Sequence, residues 1–423
     1  MKKTLLLCKD ASQVVGNYDV VIYWASFEQS ENTYSIPRIV EDQSDLLKEK
    51  YLAWLHNLGN AKVAGRSLVE HLAIRDEFSL LWMSLLLEKS PWKSPALFDA
   101  FRLLAFDLLV RKFNISHVEI NLDDRPVQRA IQQWCRDSNF PCLIQKGANS
   151  SARPSLRNVF NLLPYTLQGI TTLGYRVFQR YKTGREDLDS SRPIRDTIGD
   201  KAGEISFFSY FFNLDGAAAE SAKFYTRFWT SLHDLLVSRD ANVNWLHLFV
   251  KNNVVPDSGQ AVKLVDRFNA RLPQKQHHRL LDSEFDWNVL IKVVRDYSKV
   301  WLASWRLRRV QHFFSPPDST INLWEVLKDE WKDSLYGKTA VENCFFLNLF
   351  ESAISRLPYQ NQGFYLLENQ AWERSLIYAW RQAGHGPLIG VPHTTIASWD
   401  LKHFNSPLEY YVQQPLGLPL PDK

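Results

Sequence analysis

The chain lacks the short signatures that announce common enzyme chemistries. There is no GxGxxG dinucleotide fingerprint, no P-loop, no HExxH metal helix and no GxSxG nucleophile elbow. Any reaction must therefore come from a less standard constellation, and neither a cofactor nor a metal is expected. Cysteine is scarce. Cys8, Cys135, Cys142 and Cys344 form no CxxC pair and no metal-ligand spacing, which argues against a zinc module and fits free thiols in a reducing compartment. Excess charge is also missing: a net +4 is too weak for the concentrated basic footprint of a nucleic-acid binder. No stretch reaches the roughly 18 apolar residues that cross a bilayer. The start, MKKTLLLCKD, carries an apolar run only from Thr4 to Cys8 before Lys9 and Asp10, shorter than a signal-peptide core, and reads as a first β-strand. The expected location is the cytoplasm, with a peripheral place on the inner face of the membrane as a further option.

What is present is an aromatic-rich globular chain. Its 423 residues are too many for one ordinary domain. Hydrophobic residues make up 45% and charged residues 23%, which is ordinary usage for folded proteins. The 15 Trp, 16 Tyr and 25 Phe suit large cores, sugar sites or membrane interfaces, and composition does not choose among these.

Residues 1–146 alternate apolar runs with helical spacing. Thr4–Leu7, Val20–Trp24, Ala61–Ala64, His117–Asn121 and Cys142–Gln145 read as strands, and Ala96–Arg111 and Val127–Arg136 as helices. From Glu204 the alternation resumes. Strands are expected at Ile205–Phe211, Val243–Val250, Gly363–Leu367, Pro387–Val391 and Glu409–Val412, with helices at Ile321–Leu335 and Ala340–Leu357. Such alternation predicts the α/β class, with two Rossmann-like parallel-sheet units over 1–146 and 204–423.

Between them, 147–203 reads as a basic helical linker. Leu156 to Lys182 is amphipathic, with Arg176, Arg180, Lys182 and Arg185 clustered near its end. One reading is a helix lying on an anionic membrane; the other is a helix packed on the protein with its basic end in solvent.

Three segments are candidates for chemistry. Phe78 to Ser90 carries Glu88 and Lys89 after an apolar run, a ligand site or a buried helix ending in a solvated pair. Lys223 to Leu232 follows a strand and offers Arg227 to a ligand, or forms an amphipathic helix with Arg227 solvated. The third runs from Tyr365 to Leu401. One strand delivers Glu368 at its carboxyl end, the following helix carries Glu373, and the next strand delivers His393. Successive parallel strands then aim a carboxylate and an imidazole into one crevice, as general base and phosphate stabiliser. Trp372, Glu373, Thr394 and Asp400 are expected nearby as substrate contacts. The bland alternative makes Glu368 a helix cap, Glu373 an ion-pair partner, Trp372 core and His393 a turn residue.

ENQAWE, GHGPLIGVPHTT and WDLKHF, with FSLLWMSLLLEKSPWKS, KFYTRFW and VNWLHLFV before them, resemble a family of bacterial surface-carbohydrate (O-antigen or capsule) biosynthesis proteins. The resemblance runs from about residue 60 to the end. It implies a GT-B-like glycosyltransferase taking a nucleotide-sugar donor, with a CMP-linked acidic sugar as one option, and a glycan or lipid-linked acceptor. It also implies a chain that continues past Lys423 into a nucleotide-binding part, so that 204–423 is incomplete. The competing reading is a non-catalytic assembly or acceptor-binding protein of the same pathway; a nucleotide-sugar modifying enzyme comes third.

Overall fold

The structure is a computed structural model that describes residues 3–145, 160, 162–189, 204–211, 214–270, 275–411 and 416–423. The chain divides into two compact units, each drawn from segments far apart in sequence. The first comprises Met1–Pro164, Trp301–Leu335 and Ala397–Gly417, the second Tyr165–Val300, Tyr336–Ile396 and Leu418–Lys423.

The first unit holds a five-stranded parallel sheet of β1 (Lys3–Cys8), β2 (Val20–Tyr23), β3 (Thr33–Ser35), β4 (Ile115–Asn121) and β5 (Cys142–Ile144), in the order β3-β2-β1-β4-β5. Leu5 to Cys8 are fully buried, as a central parallel strand covered by helices on both faces requires. Three helices of the unit are α1 (Ser44–Asn60), α2 (Ala96–Val110) and α3 (Arg125–Asp137). Asp124 caps α3 by accepting from the Val127 amide, and Pro126 occupies its first turn.

Several expectations change in this unit. The strand expected at Ala61–Ala64 is confined to Lys62–Val63 and stays outside the parallel sheet: it pairs antiparallel with Arg66–Ser67 across a turn in which Ala64 and Gly65 both take positive φ. Glu409–Val412 is no strand either; Leu408–Tyr411 forms a helical turn, and Val412 lies outside the described residues. The segment from Phe78 is not one helix. Ser79 and Ser84 each accept an amide two or three residues ahead, and the chain breaks into a short strand, a 3-10 turn and the single turn Leu85–Glu88. Nor is the Glu88–Lys89 pair solvated. Both side chains are buried; Glu88 pairs with Lys93, and Lys89 Nζ donates to Asn405 Oδ1 at 2.9 Å.

The second unit repeats the topology. Strands β6 (Glu204–Tyr210), β7 (Val243–Leu248), β8 (Gln276–Leu280), β9 (Gln360–Leu366) and β10 (Leu388–Val391) are all parallel, in the order β8-β7-β6-β9-β10. Phe207 of β6 sits in register with Trp245 of β7 and Phe364 of β9, and stacks on their rings at centroid separations of 4.6 and 5.1 Å. Here the aromatic richness fills a core. Helices α4 (Tyr165–Asp189), α5 (Thr230–Ser238) and α6 (Ser258–Asn269) belong to this unit, as do α7 (Trp287–Arg306) as far as Val300, α8 (Lys338–Ser355) and α9 (Ala371–Gln382). The expected linker is represented by α4; residues 147–159, 161 and 190–203 lie outside the described residues. Arg176 and Arg180 do not form a solvated basic end. They bind Glu342 at 2.6 Å and Asp282 at 2.8 Å, while the side chains of Lys182 and Arg185 lie outside what is described. Among the described residues no helix is long and apolar enough to cross a membrane.

Candidate functional site

In an open parallel sheet of this order the strands reverse direction of progression between the first and the fourth, and ligands bind beyond the carboxyl ends there. In the second unit that point lies between β6, which ends at Tyr210, and β9, which ends at Leu366; β10 adjoins β9. The β9–β10 ladder sets Leu366 opposite Val391. Two residues beyond each, Glu368 and His393 meet, with His393 Nε2 at 3.2 Å from Glu368 Oε1. The structure thus brings together the two residues that the strand ends were expected to deliver.

A polar chain extends from this pair across the switch point. Gln370 Nε2 donates to the other carboxylate oxygen, Glu368 Oε2. Tyr210 OH donates to Gln370 Oε1 at 2.8 Å and accepts from Trp372 Nε1 at 2.6 Å. Both Glu368 oxygens therefore hold partners. With Nε2–H given to Glu368, the lone pair of a neutral His393 is on Nδ1. That atom is shut off from solvent and has no hydrogen-bond partner among the described residues. Phe228 lies edge-on to the imidazole, 5.0 Å between ring centroids and 87° between planes.

The loop that carries Glu368 is held from beneath. Glu373 is fully buried, and its carboxyl accepts the amides of Glu368 (3.1 Å), Asn369 (2.9 Å) and Gln370 (3.0 Å), closing a capping box on α9. Burial pushes its pKa up to about 8 against the lowering pull of the Gln370, Glu368 and Asn369 amides and of Arg374. Asn369 adopts φ 54°, and Arg374 ties its side chain (3.0 Å) to the Pro419 carbonyl (2.7 Å). The Glu373 carboxyl is therefore spent on three backbone amides.

The other expected contacts separate. Trp372 is buried, stacked on Phe350 at 5.8 Å, and has no open face for a sugar ring. Thr394 is exposed on the loop after His393. Arg227 is exposed in the turn that also places Phe228 against His393, ahead of α5, so the segment supplies its aromatic neighbour to the pair. Asp400 belongs to the first unit. There it lies 3.6 Å from both Lys402 and His403, and its Oδ1 is buried without a partner among the described residues. Tyr210, Phe228 and Gln370 were not anticipated. Tyr210 carried a signal, being the last residue of a strand at the switch point.

A second group of titratable side chains lies in the same unit. His233, His247 and His278 surround Phe224 and Trp245, and His247 Nε2 is 3.0 Å from His278 Nδ1. Burial lowers His233 to about 4 and His247 to about 3, and holds His278 well below the ordinary range. Among the described residues no group of three or more His, Cys, Asp or Glu side chains is placed to hold a metal ion. These are neutral core histidines.

Compared with models of known protein families, with curated proteins and with solved structures, the chain matches none of them.

Proposed function

We propose that the chain is a glycosyltransferase of bacterial surface-polysaccharide biosynthesis, moving a sugar from a nucleotide-sugar donor to a hydroxyl of a glycan or lipid-linked acceptor. The observation that carries this reading is the Glu368–His393 pair beyond the carboxyl ends of adjacent parallel strands. Two parallel α/β units support it, because that is the architecture the sequence resemblance implies.

The hydrogen bonds favour one division of roles. Glu368, held by Gln370, fixes the imidazole, and His393 takes the proton of the acceptor hydroxyl. The acceptor oxygen then bonds to the anomeric carbon, and the bond from that carbon to the donor phosphate oxygen breaks, its electron pair leaving with the nucleotide.

The test is turnover. The full chain is incubated with UDP-, GDP- and CMP-linked sugars, and nucleotide release is followed with and without a glycan acceptor. Acceptor-dependent release from one donor class is expected. Binding of a glycan with no release from any donor would favour the assembly-protein reading instead.

A further inference from the structure

Two neighbouring helices of the second unit turn apolar side chains outward. On α4, Leu167, Ile170, Tyr175 and Phe178 fall on one stripe at helical spacing, and Phe178 is 68% exposed. On α7, Trp287, Ile291 and Val294 form a second stripe, with Trp287 72% and Ile291 65% exposed. The helices touch. A Cβ added at Gly169 of α4 would lie 2.3 Å from the Tyr297 hydroxyl of α7. Isolated exposed apolar residues are ordinary, but a stripe of them along a helix marks an interaction surface.

Charge identifies the partner. Lys292, Arg295 and Lys299 flank the α7 stripe and are exposed, although Arg295 also reaches Asp296 at 3.3 Å. Asp296 is the only carboxylate from Trp287 to Val300, and it is fully buried, accepting from Asn348 at 2.9 Å. From Tyr165 to Arg180, α4 has no acidic residue at all. The surface therefore combines apolar side chains, including an exposed Trp, with the exposed cations Lys292 and Lys299. A bilayer with anionic headgroups offers both an apolar layer and the opposite charge.

We propose that the outward faces of α4 and of α7 up to Val300 lie on an anionic membrane surface. Arg176 and Arg180, expected from the sequence to supply the charge, are held in ion pairs; Lys292 and Lys299 take that part. The proposal is independent of the transferase reading.

The experiment is co-sedimentation of the full chain with vesicles of phosphatidylcholine alone or mixed with phosphatidylglycerol, with light scattering of the lipid-free protein in parallel. Binding to the mixed vesicles only is expected, weakening several-fold between about 0.1 and 1 M salt as the Debye length falls from about 10 to 3 Å. Trp287→Ser with Ile291→Ser, and separately Ile170→Ser with Phe178→Ser, should each weaken binding at least tenfold, with circular dichroism unchanged. Lys292→Gln with Lys299→Gln should weaken it severalfold, and decides the matter if the apolar variants fail to fold. Wild-type binding by the lysine variant overturns the proposal. So does absence of binding, or a lipid-free dimer that Trp287→Ser with Ile291→Ser dissociates.

Discussion

Glu368 and His393 stand opposite one another because the ladder that pairs Leu366 with Val391 carries its register two residues past both strand ends. Their contact is a consequence of strand alignment, and the capped start of α9 fixes one side of it. Neither loop has to search for the geometry, which is what the proposed role of His393 as proton acceptor requires.

That support has a measurable cost when removed. Glu373→Ala leaves the amides of Glu368, Asn369 and Gln370 without their shared acceptor. The loss should be about 2–4 kcal/mol, since a buried donor stripped of its partner costs roughly 1–3 kcal/mol and a helix cap about 1. Denaturant unfolding measures it; a change below about 0.5 kcal/mol would show that water replaces the carboxyl.

Trp372→Phe separates core packing from sugar binding. The substitution keeps an aromatic ring against Phe350 but removes the donor to Tyr210. Stability should fall by about 1 kcal/mol, the usual worth of one hydrogen bond. The KM for a sugar substrate should stay within about twofold. A tenfold rise in KM with little loss of stability would restore Trp372 as a sugar platform.

The buried histidines set an acid limit. Unfolded, they take protons below their ordinary value of 6.5; folded, His233 and His247 wait until about 4 and about 3. The unfolded state thus binds more protons in that window, and stability falls as pH falls through it. Glu373 and Glu330 act oppositely, their contributions being full below 4.5 and lost as pH rises toward about 8 and about 7, but they face four histidines lowered by burial, His385 being the fourth. Unfolding free energies at several pH values between 6.5 and 4.5 should fall with pH. In His247→Phe the slope should shrink by about 1.4 kcal/mol per pH unit, the worth of one proton. An unchanged slope would mean that His247 titrates normally in the fold.

Most of both sheets was legible because their inner strands are apolar on both faces, as at Leu5–Leu7 and Phe207–Phe208. β8 was not. Its sequence Gln276-His-His-Arg-Leu reads as polar, yet His278 is buried neutral and Arg279 is paired with Glu284 at 3.0 Å. β3, three residues long, is too short to show a period. Helix α7 escaped notice because its solvent side carries Trp287 and Ile291, which blurs the contrast between faces. In the site, Glu368 and His393 could be placed by counting from strand ends, whereas Phe228 arrives through the fold of a turn. Trp372 and Glu373 were located correctly along the chain, but sequence position does not say whether a side chain turns toward the crevice or the core.

Paired rate measurements on Glu368→Gln and His393→Ala, with the donor that wild type uses, test the central claim most directly. General-base removal typically costs 10²–10⁴-fold, so kcat should fall by about 100-fold or more in His393→Ala and by at least ~10-fold in Glu368→Gln, with circular dichroism intact. The double variant should be little worse than His393→Ala, because the two side chains act as one unit. If both single variants keep full transfer activity in a folded protein, the pair is structural and the account of the site is wrong.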